Sequence, residues 1–351
     1  MKNKINAKVS IIILNWNGWK DTIECLESLY KINYPNYDVI LVDNNSEDDS
    51  IEKIHEYCED NIKIRNGFFS DELLSKATNS LKDNMTEFEE DDFEEFLSLP
   101  SNRKLIIIAN PKNYGFTKGN NIGMEYATNN LKPDYFLLLN NDTIVDKDFL
   151  YELVKNGEIN KKTGFLSPKI YFYDYKGDTD IIQYAGAKQN LWIFNPEHIG
   201  IFQKDIGKYD KICTTDYAHG SCVLAKVEMI NEIGYLDEDY FSYREENDWG
   251  IRGKIKGWDS LYIPKSKIWH KGGKSTGGNF SPMAIFYRTR NDFIFMKKNG
   301  NTEQNISFLL YFIFFKLWFF CSIYLLYYQD LKVVLAFLKG FKEGLLWRKN
   351  N

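Results

Sequence analysis

The sequence predicts an α/β fold, a doubly wound sheet flanked by helices, and three apolar runs predict it. They occupy 9–14 in VSIIILNWNG, 39–42 in VILVDNNS and 135–139 in YFLLLNND. Each is continuously apolar and rich in β-formers, as strands buried on both faces are. Each also stops abruptly at polar residues: Asn15, Trp16 and Asn17; Asp43, Asn44 and Ser46; Asn140, Asn141 and Asp142. In open sheets of this kind ligands bind beyond the carboxyl ends of the strands. The endings therefore predict a polar, ligand-reading rim on an apolar sheet.

Taken in order, residues 18–30 predict the first helix, with Ile23, Leu26, Leu29 and Tyr30 on one face. Asp48, Asp49 and Ser50 open a second, running toward Tyr57, with acids suited to its first turn. Strand, helix, strand, helix is the start of a doubly wound sheet. Residues 66–103 interrupt it with an acidic run at 87–95, among which Phe88, Phe93 and Phe96 are interspersed. A solvated insertion or helix pair is expected, with a protein-docking segment as the alternative. The sheet resumes at 105–109 and leads into NPKNYGFTKGNN. There Asn113, Gly115, Gly119, Asn120 and Asn121 predict a turn before a helix over 122–128. Small residues beside a helix N-terminus suit a phosphate, and an ordinary capped loop fits the same residues. Residues 143–240 mix short β-rich stretches with turns, as expected of the half that holds a second substrate.

At 351 residues and 44% hydrophobic the chain can bury a sizeable core. A net charge of −5, with no basic stripe interleaved with aromatics, argues against nucleic acid as a partner. The five cysteines include no C-x-x-C pair, so buried, reduced thiols are expected. The apolar run after the Lys-rich first eight residues is shorter than a secretory segment, which points to a cytoplasmic catalytic part. On that reading, Asn44-Asn45-Ser46 is no glycosylation site. Gly272-Gly273-Lys274-Ser275 mimics a P-loop ending, but Ile268 stands where the pattern needs its first glycine. The first strand lacks a G-x-G-x-x-G turn as well, against a dinucleotide-binding oxidoreductase.

Three acidic or metal-binding elements remain: Asp142, the group Glu245, Glu246 and Asp248, and His270. A hard divalent cation on a diphosphate needs only one or two protein ligands, since phosphate and water fill the octahedron. Asp142 and His270 suit that task, the histidine favouring manganese slightly over magnesium. A separate carboxylate can take a proton from an acceptor hydroxyl. Structural roles compete at each position: Asp142 as a turn cap, Asp248 as a helix N-cap, His270 and His219 as packed core histidines.

With these residues in hand, the chain resembles glycosyltransferase family 2 enzymes of the GT-A fold, in the branch of rhamnosyltransferase-like and galactofuranosyltransferase-like proteins. The resemblance runs from 9 to about 299 and rests on six ordered motifs: VSIIILNWNG, LVDNNSEDDS, NYGFTKGNN, LLNNDT, GSCVLAKVEMINEIGYLDEDYFSYREENDWGIR and WHKGG. It implies that Asn15, Trp16 and Asp43 bind the nucleoside, that Asn44 and Ser46 assist, and that Asn120 and Asn121 lie near the sugar donor. Asn140 replaces the first aspartate of the family's D-x-D metal motif and leaves Asp142 as the ligand, with His270, for Mg²⁺ or Mn²⁺. The family's catalytic carboxylate falls on Glu246, with Asp248 as the alternative. The reaction implied is a single displacement with inversion: Glu246 deprotonates the acceptor, and the cation offsets the charge of the departing diphosphate. A UDP- or dTDP-sugar and a glycan or polyprenyl-linked acceptor are the implied substrates. A sugar-1-phosphate nucleotidyltransferase would need a Gly-rich, Arg-containing loop after the first strand, which LNWNGWK lacks. A non-catalytic sugar-binding protein of the same fold is the remaining alternative.

Beyond about residue 300 the composition changes. Residues 306–328 are long and apolar enough to cross a bilayer, but Lys316 near the middle would cost about 2.5–3.5 kcal/mol on insertion scales. Leu331, Val334, Leu335, Leu338, Phe341 and Leu345 then predict the apolar stripe of an amphipathic helix, opposite Lys332, Lys339 and Glu343. From 329 onward five basic residues stand against two acids. A single span would put that basic tail outside, against the positive-inside tendency. Helices lying in the cytoplasmic interface, or a re-entrant pair, are therefore expected over a true span. A soluble helical subdomain, or a contact in a homo-oligomer, is the other reading.

Overall fold

The first predicted strand, β1 (Val9–Asn15), lies between β2 (Tyr37–Asp43) and β5 (Tyr135–Asn140) and runs parallel to both. In this computed structural model, which describes residues 6–58, 62–66, 90–272 and 280–348, β2 continues in parallel to β4 (Lys104–Ala109), and β4 to β3 (Lys63–Asn66). Alternate side chains of β1 serve two cores. Ile11 and Ile13 join Cys25, Leu26 and Leu29 of α1 (Trp19–Leu29). Ile12 joins Ile122, Met124 and Ala127 on the other side. Both faces are therefore dry, which is why the run does not alternate. Each buried isoleucine contributes about 1.5–3 kcal/mol. The helices α2 (Ser50–Cys58) and α4 (Gly115–Asn130) complete the expected winding. Between them comes α3 (Glu90–Ser98).

Beyond β5 the sheet turns antiparallel. β12 (Cys222–Lys226) pairs with β5 and with β7 (Thr163–Phe172), and β13 (Asp259–His270) runs parallel to β7. The short β6 (Thr143–Val145), directly after Asp142, pairs with the end of β13 and sets His270 opposite Thr143. One register thus carries the end of β13 to the rim of β5. Helix α5 (Phe149–Gly157) precedes β7, and between β7 and β12 lie β8 (Ile182–Tyr184), β9 (Ala187–Asn190), β10 (Asn195–His198) and β11 (Cys213–Thr214). These short pieces match the mixture of β-stretches and turns expected there.

Four expectations need correction. Part of the acidic insertion is core: α3 buries Phe96, with Phe93 packed beside it, while 67–89, including Glu87 and Phe88, lie outside the described residues. The helix predicted from 122 starts at Gly115 instead. Gly115 has φ +79°, and a Cβ there would meet Phe241 Cδ2 at 2.5 Å, so only glycine fits. Asp248 is not an N-cap, because α7 (Glu245–Ile255) starts three residues before it. Of the five cysteines, Cys25, Cys58 and Cys222 are buried and unpaired as expected, but Cys213 is exposed.

The C-terminal part is three helices: α8 (Pro282–Asn299), α9 (Thr302–Tyr327) and α10 (Leu331–Leu346), with α6 (Val227–Ile233) and α7 preceding them in the chain. Phe293, Phe308, Phe312 and Phe337 form their common core. Gly340 and Gly344 let α10 approach α8 closely, since a Cβ would lie 2.6 Å and 2.7 Å from the carbonyl oxygens of Phe286 and Arg290. The buried face of α10 is thus Val333, Phe337, Gly340 and Gly344. Leu331, Leu335, Leu338 and Leu345 of the predicted stripe point outward. On α9, Trp318 is 67% and Leu326 73% exposed, alongside Phe314, Phe315 and Phe319.

Candidate active site

The rim at β1 and β2 is a closed hydrogen-bond network. Buried Asn15 donates through Nδ2 to Asp43 Oδ1 at 2.8 Å and to Ser46 Oγ at 3.1 Å. Its Oδ1 accepts from Thr22 Oγ1 at 2.9 Å and from Asn141 Nδ2 at 3.3 Å. Ser46 returns two bonds to Asp43, from its hydroxyl at 2.6 Å and its backbone N–H at 2.9 Å. Two asparagines in left-handed conformation, Asn17 (φ +52°) and Asn45 (φ +61°), turn the chain at these strand ends. Half-buried Trp16 sits at the rim between Asn15 and Asn17.

Asn44, which the resemblance places at the nucleoside rim, and Asn120 and Asn121, which it places near the sugar donor, have protein partners. Asn44 donates to Asn113 Oδ1 and the Gly115 carbonyl, and accepts from Asn110 Nδ2 and the Tyr114 N–H, so all its bonding capacity ties β2 to α4. Asn120 donates to the Phe116 carbonyl one turn back. Asn121 bridges to Leu236, donating to its carbonyl and accepting from its N–H. The N-terminus of α4 is also engaged within the protein. The N–H groups of Phe116 and Thr117 both donate to the Phe241 carbonyl, at 2.9 Å and 3.3 Å. Its first turn therefore braces the loop that leads from Phe241 into residue 245 and is not turned to a phosphate.

Asp142 and His270 meet at the end of β5. His270 Nε2 lies 3.1 Å from Asp142 Oδ1, both side chains nearly fully buried. His270 Nδ1 faces Gln183 Oε1 at 2.9 Å, which calls for a proton on Nδ1. The Asn140 amide stands 3.4 Å from Nε2, consistent with Nε2 as an acceptor. With a proton on Nε2 His270 hydrogen-bonds the Asp142 carboxylate, and with its proton on Nδ1 alone it can offer the Nε2 lone pair beside that carboxylate to a cation. Adjacent octahedral ligands of a cation at about 2.1 Å lie about 3 Å apart, so this donor pair fits Mg²⁺ or Mn²⁺. Burial pushes the Asp142 carboxyl up, but His270 and backbone hydrogen bonds outweigh it and hold the group below the ordinary carboxylate range. Among the described residues no three such ligands converge, so a bound cation would need substrate oxygens and water for its remaining positions.

His219 adjoins this pair, its ring 5.9 Å from His270 and 4.8 Å from His198. It accepts from the Ser221 N–H on Nδ1, and burial holds it neutral, well below the ordinary histidine value. Burial, with Arg244 and Arg288 nearby, brings His198 down to about 4. A Cβ on Gly220 would lie 4.0 Å from Glu245 Oε1. Segment 219–221 therefore joins the Asp142 side of the site to the start of α7.

That start is strained. Tyr243 (φ +71°) and Arg244 (φ +80°) are consecutive left-handed residues, a conformation costing about 1–2 kcal/mol for each non-glycine. Asn291 of α8 holds the turn by donating to the carbonyls of Ser242 and Tyr243, both at 2.8 Å. Glu245 is buried and Glu246 half-buried, and the buried Oε2 of each carboxyl has no hydrogen-bond partner. Burial and the adjacent Glu246 carboxylate push Glu245 well above the usual carboxylate range. Asp248 differs from both: Oδ2 accepts from Arg252 Nε at 2.7 Å and Oδ1 from Asn299 Nδ2 at 2.9 Å. Of the two acids weighed for proton transfer, only Glu246 has a carboxyl oxygen left for an acceptor.

A model of the family described as "Glycosyl transferase family 2" matches residues 10–68 and 78–234. The chain belongs to glycosyl transferase family 2. Relatives of this family 2 chain include the low-salt glycan biosynthesis hexosyltransferase Agl10 of Haloferax volcanii, 28% identical over 40% of the chain and 44% of the relative. Rhamnosyltransferase WbbL of Escherichia coli is 27% identical over 43% and 58%. An N-acetylglucosaminyl-diphospho-decaprenol L-rhamnosyltransferase of Mycobacterium tuberculosis is 40% identical over 16% and 19%. The chain thus aligns with about half or less of the length of most of these curated relatives, and they represent the rhamnosyltransferase-like branch that the motifs predict. Among solved structures, the mannosyltransferase PcManGT of Pyrobaculum calidifontis, in complex with GDP-Man and Mn²⁺, superposes with a TM-score of 0.53 at 11% identity, over 98% of this chain and 77% of that one. TarS 1–349 of S. aureus with UDP-GlcNAc gives 0.52 at 14%, over 96% and 80%. The fold of this family 2 chain is GT-A-like.

Sequence reasoning missed several residues of this family 2 site. Gln183, which orients His270, lies 87 positions away from it. Thr22 completes the Asn15 network, and Asn291 and Asp292 hold the turn before Glu246. No local signal marks them, since Thr22 lies inside α1, Gln183 inside β8, and Asn291 and Asp292 in the middle of α8.

Proposed function

We propose that this chain is an inverting glycosyltransferase that moves a sugar from a nucleotide-sugar donor, such as a UDP- or dTDP-sugar, to a glycan or polyprenyl-linked acceptor during surface polysaccharide or glycoconjugate synthesis. The observation that carries the reading is the Asp142–His270 pair and the unpartnered Glu246 oxygen, joined through 219–221 on the rim of a family 2 sheet. The rhamnosyltransferase relative named for a decaprenol-linked acceptor supports a lipid-linked substrate. The mannosyltransferase solved with Mn²⁺ supports a divalent cation.

In this mechanism buried Asn15 fixes Asp43 and Ser46, which present an edge to the nucleoside beside the Trp16 ring. Asp142 and His270 would hold a Mg²⁺ or Mn²⁺ ion, which would supply Lewis-acid stabilisation of the diphosphate leaving group. Glu246 accepts the acceptor hydroxyl's proton as its oxygen attacks the anomeric carbon opposite the leaving group, which inverts the configuration. Holding both substrates in line accounts for much of the acceleration. The outward apolar faces of α9 and α10 and the basic tail support a proposed position on the cytoplasmic side of a membrane, peripheral or re-entrant.

A panel of nucleotide sugars tested for protection against thermal unfolding, with and without Mn²⁺, checks this. A ligand at 100 times its dissociation constant stabilises by about 2.7 kcal/mol, so the true sugar donor should stand out. Protection by none of the panel would overturn the reading.

A further inference from the structure

Between Glu303 and Asp330 the sequence carries one charged residue, Lys316. An ammonium there is unfavourable on a helix whose outer face is apolar, unless it is paired. Its side chain is only 16% exposed, and Nζ lies 2.8 Å from Asp292 Oδ2 on α8. The other oxygen, Asp292 Oδ1, accepts from Arg244 Nε at 2.7 Å. Asp292 itself is buried. Its neighbour Asn291 grips the carbonyls of the same left-handed turn. Lys316 ends a π-helical turn, Phe312–Lys316, in which one extra residue per turn alters the direction of the side chains. Phe312 at the start of that turn is fully buried against Phe293 of α8.

We propose that Lys316 is a positioning residue for sugar transfer: through Asp292 and Arg244, the apolar helix α9 holds the turn that presents Glu246. The proposal deepens the functional reading above and rests on Glu246 as the proton acceptor. Removing α9 from α8 leaves Asp292 with Arg244 alone and leaves Lys316 uncompensated in an apolar face. Seating α9 and setting the catalytic turn are therefore one event. The helix with the outward-facing aromatics is the same helix that reaches the carboxylate, so the surface receiving the lipid-linked substrate also braces the base.

The test uses the full chain on phosphatidylglycerol–phosphatidylcholine vesicles, comparing wild type, Lys316→Met and Lys316→Arg. Methionine keeps the length and suits the helix, and arginine keeps the charge. Hydrogen exchange at the amides of 243–248 should be about tenfold faster in Lys316→Met and near wild type in Lys316→Arg, with exchange in 9–15 and 37–43 unchanged. In transfer assays kcat should fall by about tenfold in Lys316→Met while KM for the nucleotide sugar stays put, because small misplacements of a reacting group carry penalties of this size or larger. Lys316→Arg should recover kcat. Wild-type protection of 243–248 in Lys316→Met overturns the proposal, as does faster exchange spread across the whole chain. If exchange behaves as expected but wild type transfers no sugar, the coupling stands and the functional reading alone falls.

Discussion

His270 presents Nε2 to Asp142 Oδ1 across 3.1 Å while Gln183 engages its other nitrogen. With its proton kept on Nδ1 by Gln183, His270 would offer Nε2 to a cation directly beside the Asp142 carboxylate. Asp142→Ala should abolish the extra thermal stabilisation that Mn²⁺ gives to the nucleotide-bound protein, and transfer should be lost with it. Because the residue sits at a strand end, the unliganded melting temperature should move little. Calorimetric titration of Mn²⁺ in the presence of a nucleoside diphosphate measures the effect, and undiminished cation binding in the mutant would rule out this ligand pair.

Glu246 and Asp248 are both acids of α7, yet only Asp248 is fully paired. Glu246→Gln should lower turnover by about 10²–10⁴ with sugar-donor affinity unchanged. Asp248→Ala should act on the fold instead. Removing one partner of a buried ion pair costs about 3–5 kcal/mol, to be read by urea unfolding, with the surviving folded fraction still active. The reverse pattern would move the base to Asp248.

Glu245 makes stability depend on pH. Its folded-state pKa is raised by burial and by Glu246, so its stabilising contribution is complete below the unfolded value, about 4.3. That contribution is lost as pH rises through the folded value. Glu245→Gln, neutral at every pH, should flatten this part of the profile and gain on wild type as pH increases. Unfolding free energies at pH 5 and pH 8 provide the comparison, and parallel losses in both proteins would contradict it.

The outward aromatics of α9 give a separable membrane test. Trp318→Glu with Phe319→Glu alters residues that are 67% and 61% exposed. Binding to vesicles should drop sharply while the melting temperature in detergent holds. Truncation at about residue 301 is a poorer probe, because α10 covers α8 and α8 holds the turn before Glu246. Vesicle binding that survives the double substitution would point to the outward leucines of α10, or to charge alone.

Much of this architecture can be read in advance because burial on both faces leaves a strong mark. The runs at β1, β2 and β5 had to be apolar throughout, and their polar endings follow from the sheet's geometry. Roles within the rim were less readable. An asparagine such as Asn44 or Asn121 looks the same in sequence whether it serves a ligand or a neighbouring loop, and only the fold shows Asn113 or Leu236 beside it. On α10 the sequence is apolar on two sides. The leucine stripe dominated the pattern, whereas two glycines and Phe337 decided which side meets α8. Lys316 was conspicuous, but its partner, 24 positions earlier, could be found only once α8 and α9 were packed.

The saturated network of Asn15, Asp43, Ser46 and Asn141 has a kinetic consequence. These side chains already hold one another in place, so an arriving nucleotide has little loop ordering to wait for. Pre-organisation of this kind removes an entropic toll from association. Capture of different nucleotide sugars should then proceed at similar on-rates, and discrimination among them should show in how long each stays bound.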